Sequence, residues 1–121
     1  MSLFRRGDDR VTVDEAVRCT GGVHARAVLL DVREEPEWEA GHAPGALHVP
    51  LSRLAAGAAL PAAAQGRALV VICRSGRRSQ DAVELLAARG AEAVDVKGGL
   101  KAWAAAGHPL VDERGNSGFI A

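Results

Sequence analysis

The sequence predicts an α/β fold in which a parallel sheet carries helices on both faces. Two unbroken apolar runs, Ala27-Val28-Leu29-Leu30-Asp31-Val32 and Ala68-Leu69-Val70-Val71-Ile72-Cys73, lack the alternation of a strand with one wet face. Such runs suit central strands buried on both sides. Strand-like and helical patterns alternate along the chain, which is how strand–helix–strand units are read. The 121 residues (12.6 kDa), 48% hydrophobic and 25% charged, supply the core of one domain and not two.

The elements follow in order. Residues 1–10 read as an N-terminal extension, residues 11–111 as the domain, and residues 112–121, which show no pattern, as a loose tail. A brief strand near Val11 precedes Thr12-Val13-Asp14-Glu15, where the glutamate stands three positions after the threonine. That capping-box spacing predicts a short helix over residues 14–19. The first central strand takes residues 27–32. Residues 34–40 are acid-rich with Pro36 near their start, as a first helical turn prefers. A short strand over residues 46–49 is closed by Pro50, and the alanine-rich stretch 55–64, containing Gly57 and Pro61, reads as a short helix broken by a turn. After the second central strand, Ala82, Val83, Leu85 and Leu86 fall at helical spacing within residues 80–89, ended by Gly90. A strand over residues 93–96 is closed by Gly98-Gly99, and a helix over residues 100–106 ends at Gly107. Trp38 and Trp103 fall at apolar helix positions and read as core anchors.

Fifteen basic and fifteen acidic side chains cancel. A nucleic-acid or anionic-membrane binder would carry a positive excess, so neither partner is expected. No apolar run reaches the roughly 18 to 20 residues that span a bilayer. The start, Met1-Ser2-Leu3-Phe4-Arg5-Arg6-Gly7-Asp8, turns charged too early for a signal-peptide core. Two cysteines, Cys19 and Cys73, are too few for a disulfide scaffold. A reducing, cytoplasmic setting is therefore the expectation. His24, His48 and His108 show no metal-ligand spacing to one another or to cysteine, and no metal is expected.

In parallel sheets ligands bind beyond the carboxyl ends of the strands, where Asp31 and Cys73 both fall. The informative segment is Cys73-Arg74-Ser75-Gly76-Arg77-Arg78-Ser79. Three arginines follow the cysteine within five residues, and no acid occurs before Asp81. A helix beginning near Arg77 aims its positive end at the sulfur, and a glycine-containing turn forms an anion nest from successive N–H groups. A thiol so placed ionises more readily than a free cysteine, and the thiolate is the nucleophile. The alternative is a core cysteine that merely ends a strand. Clustered arginines and the strand-to-helix position weigh against that. Cys19 has no such neighbours and reads as structural.

Four ordered motifs then carry a resemblance to the rhodanese family, specifically its single-domain sulfurtransferases. They are Leu30-Asp31-Val32-Arg33-Glu34, Glu39-Ala40-Gly41-His42-Ala43-Pro44-Gly45-Ala46, the Cys73 loop, and Gly98-Gly99-Leu100-Lys101-Ala102-Trp103. The resemblance spans residues 11–110. It implies a five-stranded parallel sheet and a cysteine that carries a persulfide, with no cofactor. Cys73 is by position the nucleophile; backbone N–H groups of Arg74, Ser75, Gly76, Arg77, Arg78 and Ser79 would cradle it, and Arg74, Arg77 and Arg78 would attract a small anionic sulfur donor such as thiosulfate. The acceptor would be cyanide, a thiol or a sulfur-relay partner protein.

Asp31 and Arg33 are expected to form an ion pair that props the loop. His42 lies in a turn sequence and is expected to bond backbone there. Glu34 to Glu39 read as a solvated helix face. Related cysteine phosphatases and arsenate reductases separate cysteine and arginine by five residues, whereas Arg78 comes one position early. A carrier module that only relays sulfur between proteins is the second reading, and a catalytically silent regulatory domain would lack the cysteine.

Overall fold

The computed structural model describes residues 10–121. Five strands, β1 (Arg10–Val11), β2 (Ala27–Asp31), β3 (Leu47–His48), β4 (Ala68–Ile72) and β5 (Ala93–Val96), form one parallel sheet in the order β1-β5-β4-β2-β3. Helices α1 (Val13–Thr20), α2 (Glu35–Ala40), α3 (Leu51–Ala55), α4 (Arg78–Ala88) and α5 (Gly99–Ala105) connect them, with a 3-10 turn at Ala62–Ala64. The expected fold class and the five-stranded sheet are both present.

Why the central runs do not alternate is visible in their packing. On β4, Val70 and Ile72 face one core with Val11, Ala16, Leu100 and Trp103. Leu69, Val71 and Cys73 face the other, with Leu54, Ala82, Val83 and Leu86. Each side chain turns to the opposite face from its neighbour, and both faces are dry. Burying four such aliphatic side chains contributes on the order of 1.5–3 kcal/mol each before entropy is subtracted.

Local signals set the helix ends. Thr12 caps α1: its hydroxyl accepts from the Glu15 N–H at 3.2 Å, and the Glu15 carboxylate accepts from the Thr12 N–H at 3.1 Å. At α2 the Glu37 carboxylate accepts from the Glu34 N–H at 3.1 Å, while the Glu37 N–H donates to the Glu34 carbonyl.

Three readings need correction. The alanine-rich stretch does not hold the expected helix, because Pro50 starts α3 earlier, at Leu51, and Pro61 restarts the chain only as a 3-10 turn. Of the expected extension, residues 1–9 lie outside the described residues, while Arg10 belongs to β1, in register with Asp95. Residues 112–121 are not loose. Val111 bridges both His42 and Ser117, and the Phe119 N–H donates to the Ala40 carbonyl at 3.0 Å. Gly41 makes that approach feasible, since a Cβ there would collide with the Phe119 backbone.

Candidate active site

Cys73 follows β4 directly and is buried, 1% exposed, at the carboxyl edge of the sheet. Parallel register brings two acids to the same edge: Asp31 pairs with Ile72, and Asp95 pairs with Val71. The sequence places Asp31 there by its position at the end of a long apolar run, a signal that Asp95, inside short β5, lacks.

The loop from Cys73 to Arg77 is held by its carbonyls. The Leu100 N–H donates to the Cys73 carbonyl at 2.8 Å, and the Lys101 N–H donates to the Arg74 carbonyl at 3.0 Å. These are first-turn N–H groups of α5, which have no partner inside their own helix. The Gly76 carbonyl accepts from the Gln80 amide at 2.6 Å and from Arg10 Nη2 at 3.1 Å. In a trans peptide the N–H points opposite to the C=O. Each anchored carbonyl therefore turns the N–H of its own peptide, that of Arg74, Ser75 or Arg77, away from its anchoring donor. The Gly76 N–H donates to Cys73 Sγ at 3.1 Å.

Two glycines permit this geometry. Gly76 has φ +99°, which an L side chain resists, and Gly99 has φ +58°. A Cβ on Gly99 would lie 2.5 Å from the Cys73 carbonyl oxygen, so the Gly98-Gly99 pair lets α5 begin directly against the cysteine loop.

The expected loop arginines do not share one fate. Arg77 is exposed, as is Ser75, and Arg74 is half-buried with Nε 3.1 Å from the Ala121 carbonyl. Arg78 is engaged by Glu37 through two bonds, Nη1 to Oε1 at 2.7 Å and Nη2 to Oε2 at 2.8 Å. That bidentate pair makes Glu37 more than a solvated helix acid. The Arg78 hydrogen bond holds the Glu37 carboxyl below its ordinary value of 4.5, although partial burial opposes it. The same bond raises Arg78, with the field of Cys73 a smaller contribution. A carboxyl lowered on folding stabilises above its unfolded value, and that stability is lost as pH falls through the lowered one. We expect Glu37→Gln to remove part of the acid-side destabilisation below about pH 4.5. Both side chains reach water, so the effect at neutral pH is about 1 kcal/mol or less. Urea titrations at pH 7 and pH 3.5 check this, and an unchanged difference between the two would contradict it.

Asp31 and Arg33 form the expected ion pair, at 2.8 Å and with both side chains at 0% exposure. The Arg33 guanidinium also donates to the Glu37 carbonyl at 3.2 Å and the Gly41 carbonyl at 2.6 Å, fixing the C-terminal half of α2. Through α2 the pair positions Glu37 against Arg78, so it acts on the loop at one remove. His42 bonds backbone, but that of α2 rather than of its own turn: Nδ1 lies 2.7 Å from the Trp38 carbonyl. Trp103 is a core residue at 6% exposure, whereas Trp38 is half-buried, stacked on His42 and His48 at ring-centroid distances of 3.5 and 4.7 Å. Cys19 packs beside the core as a free thiol.

Ser79 is fully buried and lies between the sulfur and the acid that sequence reasoning missed. Its Oγ accepts from the Cys73 thiol at 3.3 Å and donates to Asp95 Oδ2 at 2.7 Å. Arg10 closes the row on Asp95, Nε to Oδ1 at 3.0 Å and Nη2 to Oδ2 at 3.2 Å. An acid within an otherwise apolar strand is the signal that could have singled out Asp95, as it did Asp31. Among the described residues no cluster of histidine, cysteine and acid suits a metal ion, and no helix is long and apolar enough to cross a membrane.

Known proteins share both the sequence and the fold. The adenylyltransferase and sulfurtransferase UBA4 of Yarrowia lipolytica is 36% identical over 97 residues, 80% of this chain and 24% of that protein. The adenylyltransferase and sulfurtransferase MOCS3-2 of Zea mays is 44% identical over 82 residues, 63% of this chain and 17% of that protein. The chain thus spans a quarter or less of the length of these two curated relatives. The crystal structure of a rhodanese-related protein from Thermoplasma volcanium superposes with a TM-score of 0.70 at 30% identity, covering 86% of this chain and 98% of the other. The family model for the rhodanese-like domain matches residues 16–106, from α1 through α5, so this chain belongs to the rhodanese-like domain family.

Proposed function

We propose that the chain is a sulfurtransferase that moves sulfane sulfur from a small anionic donor such as thiosulfate to a thiophilic acceptor through a Cys73 persulfide. The observation that carries this is the Gly76 N–H on Cys73 Sγ at 3.1 Å, within a loop whose Cys73, Arg74 and Gly76 carbonyls are each held by other donors. Such preorganised donors stabilise negative charge on sulfur without a general base beside it.

The steps balance. The thiolate attacks the outer sulfur of thiosulfate, an Sγ–S bond forms, the donor's S–S bond breaks, and sulfite leaves with the electron pair. Cyanide or a thiolate then attacks the outer sulfur of Cys73–S–S⁻ and restores the thiolate. The family membership and the printed names of the relatives, adenylyltransferase and sulfurtransferase, support sulfur transfer as the reaction class. Exposed Arg77 and half-buried Arg74 support an anionic donor, long-range steering being their contribution. Arg78, engaged by Glu37, contributes less than its place in the loop suggests. Phosphatase chemistry is disfavoured, since an oxyanion cradle needs the arginine one position later and over the sulfur.

A second reading is favoured by one observation: the Yarrowia lipolytica and Zea mays relatives carry a similar stretch as a quarter or less of a longer chain. On that reading Cys73 relays sulfur between protein partners, and thiosulfate turnover is incidental. Steady-state rates with thiosulfate, mercaptopyruvate and glutathione persulfide separate the cases. The proposal predicts saturable turnover with thiosulfate at a rate above that with mercaptopyruvate. Preference for mercaptopyruvate would overturn the choice of donor. Sulfur uptake only from a cysteine desulfurase would assign the relay role.

A further inference from the structure

Buried Ser79 and Asp95, with the partly exposed Arg10 behind them, form a row that ends on Cys73 and that sulfur transfer as proposed leaves unused. Ser79 has one hydroxyl hydrogen and two neighbours that compete for it. A carboxylate can only accept, so with the thiol protonated the order is fixed: thiol to Ser79 Oγ at 3.3 Å, Ser79 hydroxyl to Asp95 Oδ2 at 2.7 Å. Once the thiol ionises, sulfur becomes an acceptor too, and Asp95 holds the hydrogen that sulfur needs. Asp95 is also a buried negative charge, 1% exposed, one hydroxyl away from a second developing negative charge. Left alone it would oppose the thiolate.

Arg10 answers both problems. Its two N–H groups donate to Asp95 at 3.0 and 3.2 Å, neutralising the carboxylate and competing as donors with the Ser79 hydroxyl. Its Nη2 also holds the Gly76 carbonyl at 3.1 Å, the residue whose N–H donates to Sγ. Strand pairing fixes this, because Arg10 of β1 sits in register with Asp95 of β5.

We propose that Arg10 and Asp95 are positioning residues for Cys73: Asp95 orients the Ser79 hydroxyl, and Arg10 neutralises Asp95 so that this hydroxyl can turn its hydrogen to the thiolate or persulfide. Neither touches the reacting sulfur. The inference rests on Cys73 being the sulfur-carrying nucleophile. Other charges near the cysteine are accounted for: Asp31 is matched by Arg33, Glu37 by Arg78, and the loop's Arg74 and Arg77 reach solvent, as does Lys101 of α5.

The test is a charge cycle read by the pH dependence of Cys73 alkylation with iodoacetamide, quantified on the Cys73 peptide so that Cys19 does not contribute. In Arg10→Met an uncompensated carboxylate faces the sulfur, and the alkylation midpoint should rise by about one pH unit relative to the unaltered chain. Asp95→Asn removes the carboxylate from the neighbourhood of the sulfur while Arg10 keeps its charge, and should move the midpoint down, with Asn still able to accept from Ser79. The double variant should return close to the unaltered midpoint. Arg10→Lys, which keeps the charge, should lie between the unaltered chain and Arg10→Met and covers the case in which Arg10→Met does not fold. Loss of packing alone would slow both single variants without opposite shifts. Shifts of one sign in both, or no shift in either, overturn the proposal. The readout needs no sulfur transfer, so failure of the unaltered chain to take up sulfur refutes the proposed function separately from this cycle.

Discussion

Replacing Cys73 by serine is expected to reduce thiosulfate-to-cyanide sulfur transfer to the uncatalysed background while leaving the fold intact. Serine fits the site and its Oγ can accept the Gly76 N–H that now reaches Sγ at 3.1 Å. What it cannot do is ionise near neutral pH or hold a transferable sulfane sulfur as a persulfide. The loss is therefore chemical, and a thermal melt within a few degrees of the parent's should accompany it. On the proposed mechanism every turnover passes through the Cys73 persulfide, so kcat should collapse rather than KM rise. Residual saturable turnover above background in Cys73→Ser would show that the sulfur travels by another route.

The largest stability effect is expected at Asp31 and Arg33. Both are at 0% exposure, joined side chain to side chain at 2.8 Å, and Asp31 Oδ1 also accepts the Arg33 N–H at 2.9 Å. Removing one member leaves the other charged, dry and unpaired, which costs roughly 3–5 kcal/mol. Set against a domain stability of about 5–15 kcal/mol, Asp31→Ala should lower the urea midpoint severely. Replacing both, as Asp31→Leu with Arg33→Met, should cost less than the sum of the single changes, since neither charge is stranded. A single-variant loss below about 1 kcal/mol would contradict the buried-pair account. Since Arg33 also holds the Glu37 and Gly41 carbonyls, the single variants should in addition loosen α2 and the Glu37–Arg78 contact beside the loop.

Much of the fold was legible because its causes are local. Unbroken runs such as residues 68–73 announce a strand dry on both faces, and Thr12 with Glu15 announces a helix start whatever lies elsewhere. The α3 region was misread because alanine content favours helix, while the prolines at 50 and 61 decide where one can begin. The final residues show no sequence pattern because their order comes from long-range backbone bonds to Glu39 and Ala40, which leave no periodicity.

At the site, Cys73 and its loop were legible from charge and chain position. Asp31 and Arg33 were legible as a close pair in sequence. Glu37 is 41 residues from Arg78, and Arg10 is 85 residues from Asp95, so only the assembled sheet brings these partners together. Nor could spacing reveal that α5 anchors the loop carbonyls, because that depends on Gly99 letting two backbones meet. Local sequence singles out Cys73 as the candidate nucleophile, and tertiary structure supplies the groups that hold it.

The central claim is that Cys73 carries the transferred sulfur. Intact-mass spectrometry of the chain after incubation with thiosulfate, followed by peptide mapping under non-reducing conditions, tests it directly. The account predicts a gain of one sulfur on the peptide containing Cys73, removed by cyanide and absent in Cys73→Ser. No gain in mass with any donor, or a gain that maps to Cys19, would contradict it.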